Sequence, residues 1–263
     1  MTEAQNIAVA DICQMAKKLR LTLIAEQADA MLKAARDAKM TGRELLAFIF
    51  SQELDRRKVH RTRMGLMSAH FPFDASLDGF DFSVIPSLDP GRIRDLRRLD
   101  WVRTGANLLL QGPPGVGKTH LAISFGREAI DQGFKVKFIT AADLIDDLQD
   151  AARFGRRKER LAEYAKPGLL IIDELGYLPM GAEAAHLLFS VVNLRYEKKS
   201  TVITSNRDVT EWGLVLGDPS GAMAILDRFL HHSEVLTING DSYRLLEKRR
   251  AGVMAAATRT PGG

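Results

Sequence analysis

Residues 112–120, GPPGVGKTH, follow the apolar run NLLLQ and lead into the helical pattern KTHLAISFGREAI. Strand, glycine loop and helix in that order constrain this chain more than any other stretch. The spacing G-x-x-x-x-G-K-[ST] places Gly112, Gly117, Lys118 and Thr119 where a phosphate-wrapping loop needs them. Glycines let backbone N–H groups close around phosphate oxygens, and the helix N-terminus adds partial positive charge. Pro113 and Pro114 stiffen the entrance, and Gly115, Val116 and His120 complete the candidate binding stretch. Lys118 is suited to neutralise β/γ oxygens and the Thr119 hydroxyl to hold Mg²⁺. A plain Gly-Pro turn before a helix would not need lysine and threonine in this register.

From residue 107 onward, apolar runs (NLLLQ, KVKFIT, GLLIID, STVITSN, EVLTIN) alternate with helical stretches. Strands with little polar alternation, separated by helices, predict a parallel sheet covered on both faces, an α/β nucleotide-binding domain. GLLIIDELGYLP supplies an acidic pair at a strand tip. Asp173 would hold Mg²⁺, directly or through water, and Glu174 would polarise an attacking water. Alone, such a pair is equally a helix cap. Some fifty residues after the glycine loop it favours hydrolysis, because a second acid suits water activation better than transfer to a bound hydroxyl.

STVITSN ends in Asn206, whose amide would contact both γ-phosphate and water if this strand lies between the other two; otherwise it is a turn residue. Arg228, in AILDRFLHH, falls too far along the fold to reach its own subunit's phosphates. It would serve a neighbour's site in trans, the competing reading being a surface ion pair with Glu234. His231 and His232 are expected to diverge on a helix, with Glu234 as the nearby acid, so they read as helix C-terminal cations rather than metal ligands.

Residues 9–70 read as helical. Thr41 and Glu44 have capping-box spacing for a helix starting near residue 42, and Leu45, Phe48, Ile49 and Gln52 share its buried face. Between 71 and 91, Pro72, Gly79, Pro86, Pro90 and Gly91 break helices, while Phe71, Phe73, Phe80 and Phe82 anchor an ordered connector. Residues 90–103 read as one short helix ended by Gly105. The resulting division is a helical domain over 1–70, a connector over 71–106, an ATPase domain over 107–250 and a flexible tail over 251–263.

The 263 residues carry 37 Lys+Arg against 33 Asp+Glu, a net charge of +4 that tolerates a polyanionic partner. Three basic clusters point toward nucleic acid: RRKVHRTR, with Arg56, Arg57, Lys58, Arg61 and Arg63; RFGRRKER, with Arg156 and Arg157; and YRLLEKRR, with Arg244. Each is equally a solvated face. The single cysteine, Cys13, excludes an intramolecular disulfide and a multi-cysteine zinc site. No run of 18 apolar residues offers a membrane span and no leader pattern opens the chain, so the expected compartment is the cytoplasm.

LLLQGPPGVGKTHLA, LLIIDELGYLP, LLFSVVNLRYEKKSTVITSN, EWGLVLGD and AILDRFLHHSEVLTINGDSYRL together resemble the IstB family of insertion-sequence transposition helpers, relatives of the DnaC helicase loader among AAA+ ATPases. LRLTLIAEQ and LDGFDFSVIPSLD extend the resemblance to nearly the whole chain, about residues 19–250. It implies an AAA+ P-loop fold and an ATP- and Mg²⁺-dependent homo-oligomer on duplex DNA that remodels its target and recruits a transposase. Lys118 and Thr119 then match Walker A, Asp173 and Glu174 Walker B, Asn206 the first sensor and Arg228 the finger. About two dozen residues follow the last strand, too few for the usual helical lid. Arg244 would stand in for the second sensor or bind DNA. A helicase loader, a small-molecule kinase and a DNA-binding scaffold with a nearly inactive nucleotide site are the alternatives.

Overall fold

A computed structural model describes residues 8–177, 180–240 and 242–243. It divides into two compact units at Met64/Gly65.

The first unit is helical, with α1 (Val9–Lys18), α2 (Thr22–Asp37) and most of α3 (Gly42–Ala69). Ala16, Ile24, Ala28 and Met31 form its small core, with Phe48 and Ile49 against them. The Thr41 backbone N–H donates to Glu44 at 2.8 Å and the Glu44 N–H returns to the Thr41 hydroxyl at 3.4 Å, the predicted capping box. Gln52, expected on the buried face, is exposed, and the buried residue is Glu53. Its carboxylate accepts the N–H groups of Thr22 (3.1 Å), Leu23 (2.9 Å) and Ile24 (3.4 Å), so a side chain of α3 caps the N-terminus of α2.

The second unit opens with the end of α3 and an irregular connector. The sequence suggested one helix over 90–103, but there are two, α4 (Pro90–Arg97) and α5 (Asp100–Thr104). Leu99, at φ 60°, turns the chain between them while remaining fully buried. Packing of its side chain outweighs the left-handed backbone's cost, which is why no glycine marks the break. Gly105, at φ 77°, closes α5 as expected.

Then come β1 (Asn107–Gln111), α6 (Lys118–Asp131), β2 (Val136–Thr140), α7 (Ala141–Arg153), α8 (Arg157–Ala165), β3 (Leu169–Leu175), α9 (Ala182–Arg195), β4 (Ser200–Ser205), α10 (Trp212–Val215), α11 (Pro219–Leu230) and β5 (Ser233–Thr237). All five strands pair in parallel, in the order β2-β3-β4-β1-β5.

Leu108, Leu110, Leu169, Ile171 and Val202 face one layer, with α6 and the connector. Leu109, Leu170, Ile172 and Ile203 face the other, with α7, α9 and α11. Both faces are apolar, so alternation disappears from the sequence; each fully buried Leu or Ile contributes about 1.5–3 kcal/mol. Beneath the sheet, the buried Arg195 donates to the Tyr164, Pro167 and Ser200 carbonyls and the Thr201 hydroxyl. Desolvation pushes this guanidinium's pKa down to about 9, and the four oxygens offset that cost. The truncated-lid expectation, the 251–263 tail and Arg244 lie outside the described residues.

Candidate active site

The C-terminal ends of β1, β3 and β4 meet at one cleft of about 300 Å³. β4 lies between β1 and β3, the arrangement on which the reading of Asn206 depended.

The glycine loop joins β1 to α6, and Gly112, Gly115 and Gly117 have φ of 150°, 85° and 88°. Each is also crowded. A β-carbon would stand 2.1 Å from the Ile238 carbonyl oxygen at Gly112, 2.2 Å from Ser242 Oγ at Gly115, and 2.7 Å from the Phe80 ring at Gly117. The loop is therefore clamped from outside as well as being conformationally permissive. The Gly112 N–H reaches the Ser205 carbonyl at 3.1 Å, joining the loop to the tip of β4.

Pro114, Gly115, Val116, Gly117, Lys118, Thr119 and His120 line the cleft, whereas Gly112 and Pro113 line a second one together with Asn206 and Arg207. Lys118 Nζ donates to the Gly112 and Pro113 carbonyls, both at 2.8 Å, and exchanging these for phosphate oxygens would bring its charge onto an anion. The His120 ring is tied to the Ser76 carbonyl at 3.0 Å and meets Phe80 edge-on.

The connector thus has a role the sequence did not reveal. Phe73, Phe80, Asp81 and Ile85 form one wall of the cleft, whose two phenylalanines and isoleucine are suited to a flat ring. Phe71, Phe80 and Phe82 pack on the core as expected, while Phe73 stays 44% exposed.

Asp173 and Glu174 are neighbours with opposite surroundings. Asp173 is buried and accepts the Thr119 hydroxyl at 3.0 Å and the Thr204 hydroxyl beside it. Glu174 sits where the β3–β4 register shifts, at φ 61°, with its side chain exposed on the cleft. A bulged, left-handed glutamate between buried neighbours is strain concentrated where chemistry would use it. Asn206 lines the cleft just past the end of β4, and its buried Oδ1 has no hydrogen-bond partner among the described residues. An orphaned acceptor of this kind fits a ligand or an ordered water.

Arg228 is half-buried on α11 and does not line the cleft. Its guanidinium lies 4.7 Å from the Phe189 ring centre, and it makes no ion pair among the described residues. Glu234, offered as its competing partner, instead pairs with Arg92 at 2.9 Å. The expectation for the histidines also needs correction. The His231 and His232 rings lie 4.1 Å apart rather than diverging, and the neighbouring acid is Glu197, 3.4 Å from His232. His231 meets the Tyr196 hydroxyl at 2.7 Å, so this group ties the end of α9 to the end of α11.

The basic clusters separate into engaged and open residues. Arg56 pairs with Glu26 at 2.6 Å; Arg57 bonds Glu53 and the Arg20 carbonyl. Lys58, Arg61 and Arg63 are exposed, as are Arg156 and Arg157, with Arg156 over the Phe154 ring.

A parallel sheet with a clamped glycine loop after β1 and an acidic pair on β3 defines a P-loop nucleoside triphosphatase of the AAA+ class. A family model described as IstB-like ATP binding protein matches residues 14–251. The chain belongs to this family of ATPases. It is 41% identical, over 88% of its length and 92% of the relative's, to a protein named as ATP-binding from insertion sequence IS5376 of Geobacillus stearothermophilus. The counterpart from insertion sequence IS21 of Pseudomonas aeruginosa is also 41% identical, over 92% of this chain and 91% of that one. Among solved structures, the DnaC helicase loader superposes with a TM-score of 0.51 at 25% identity, covering 63% of this chain and 97% of that one. AMPPCP-bound DnaA from Aquifex aeolicus shares the fold, with a TM-score of 0.52 at 21% identity over 72% and 59%. The chain is an insertion-sequence ATPase, and no helix among its described residues is long and apolar enough to cross a membrane.

Proposed function

We propose that this ATPase is an assembly switch for DNA transposition: ATP joins its subunits on duplex DNA, the oligomer remodels the target and recruits a transposase, and hydrolysis loosens it. The insertion-sequence relatives support the transposase as partner. Lys58, Arg61, Arg63, Arg156 and Arg157 are exposed and suited to phosphate contacts, which would be sequence-tolerant and salt-sensitive. Arg56 and Arg57 are the weaker DNA candidates, being held by acids already.

The loop amides and Lys118 would grip the β- and γ-phosphates. Thr119 and Asp173 offer a set of hard oxygens that fits Mg²⁺, which when bound would neutralise phosphate charge. Glu174 would accept a proton from water as the water oxygen attacks the γ-phosphorus and ADP leaves. Asn206 Oδ1, unpaired among the described residues, would accept a hydrogen bond from that water's other O–H, while its amide N–H₂ would donate to the γ-phosphate.

The observation that carries the switch is Arg228, a half-buried arginine outside its own cleft and without an acidic partner among the described residues. Such a residue suits a neighbour's γ-phosphate. Electron microscopy with duplex DNA in ATP, in ADP and without nucleotide tests the reading. Glu174→Gln should trap the DNA-bound oligomer and Lys118→Ala should prevent it; unchanged assembly in both removes the switch.

The likeness to DnaC favours a second reading, a helicase loader acting on single-stranded DNA. Pull-downs with transposase against replicative helicase separate the two.

A further inference from the structure

We infer that Thr204 is the positioning residue that aims Glu174 at the attacking water. The inference rests on the proposed role of Glu174 as the base. Left-handed backbone at a glutamate is strained and persists only where the surroundings hold it. At Glu174 the register shift between β3 and β4 breaks the regular ladder, so its N–H needs an acceptor other than a strand carbonyl. Thr204 Oγ1 is that acceptor, at 2.9 Å.

The same hydroxyl donates its one hydrogen to Asp173 Oδ1. One buried oxygen therefore ties together the two acids read as metal ligand and base, and fixes the backbone from which the second projects into the cleft. Threonine suits this duty because two branches at Cβ leave its χ1 little freedom. Thr204 is also held from the side: β4 pairs Thr204 with Leu110 of the adjacent strand β1, and Ser205, the next residue, accepts the Gly112 N–H on its carbonyl. The base is thus referenced to the phosphate loop through a rigid strand. Thr119 donates to Asp173 independently of Thr204, so losing the Thr204 hydroxyl leaves the metal-binding side of the cleft with its own support.

A role in aiming predicts a split between turnover and binding that a role in stability alone does not. Thr204→Val keeps the shape and removes both hydrogen bonds; Thr204→Ser keeps the hydroxyl. We expect Thr204→Val to lower kcat about 100-fold, the scale of a misplaced catalytic group, with affinity for a fluorescent ATP analogue within about threefold of the parent. Thr204→Ser should recover kcat to within about tenfold. If valine does not fold, Thr204→Ala makes the same comparison. A valine or alanine variant with near-parental kcat, or a serine variant as slow as valine, overturns the inference. Glu174→Gln is measured alongside. If it keeps parental turnover, the assignment of the base fails and the aiming role with it; if it is inactive while Thr204→Val is not, only the aiming role fails.

Discussion

Gly112 lies so close to Ile238 that a β-carbon on the glycine would fall 2.1 Å from the Ile238 carbonyl oxygen. The contact is backbone to backbone, and Ile238 is fully buried with its N–H bonded to the Gln111 carbonyl at 2.8 Å. Neither side can yield cheaply. Gly112→Ala should therefore displace the loop and weaken ATP binding at least about tenfold, a little over 1 kcal/mol. Titration of a fluorescent nucleotide against parent and variant measures this; unchanged affinity would mean the loop tolerates the shift.

Glu174 carries strain that glycine would not. Its side chain is exposed, so Glu174→Gly gives up little packing and releases about 1–2 kcal/mol of left-handed cost. The freer unfolded chain takes back about 0.4–1 kcal/mol. The variant should melt no lower than the parent while losing hydrolysis. Calorimetry and phosphate release on one sample check both halves, and a large fall in melting temperature would place the residue's value in folding instead.

Glu53 accepts three N–H groups at the start of α2 and pairs with Arg57 at 3.1 Å. Glu53→Ala leaves these donors without acceptors and should destabilise the N-terminal unit by about 1–3 kcal/mol. Hydrogen exchange should show the loss first at Thr22, Leu23 and Ile24.

Arg195 is buried among four oxygens, with no carboxylate partner among the described residues. Arg195→Met fills similar space but strands those acceptors, and should cost about 3 kcal/mol or more by chemical denaturation. A neutral result would show that water replaces the guanidinium.

Where neighbours in sequence are neighbours in space, the residues announce the structure. Gly112 to Thr119 build their loop locally, Thr41 and Glu44 cap α3 across one turn, and apolar runs such as NLLLQ become buried strands. The rest depends on contacts between distant segments. Phe80 crosses to Gly117, Glu53 reaches Thr22, and Arg92 takes Glu234 from Arg228. Leu99 breaks a helix without the glycine that usually marks such a turn, because burial outweighs backbone preference there. The bulge at Glu174 was equally hidden, since an acidic residue at a strand end carries no sign of its φ.

Whether one subunit completes another's pocket can be read from a mixture. Arg228→Ala keeps an intact cleft without the donated arginine; Glu174→Gln keeps the arginine beside a cleft without its base. On duplex DNA each alone should hydrolyse ATP very slowly, and an equal mixture should recover about a quarter of parental turnover, the share of intact clefts facing an intact arginine. A mixture no faster than its components, or Arg228→Ala active by itself, would show that no arginine passes between subunits.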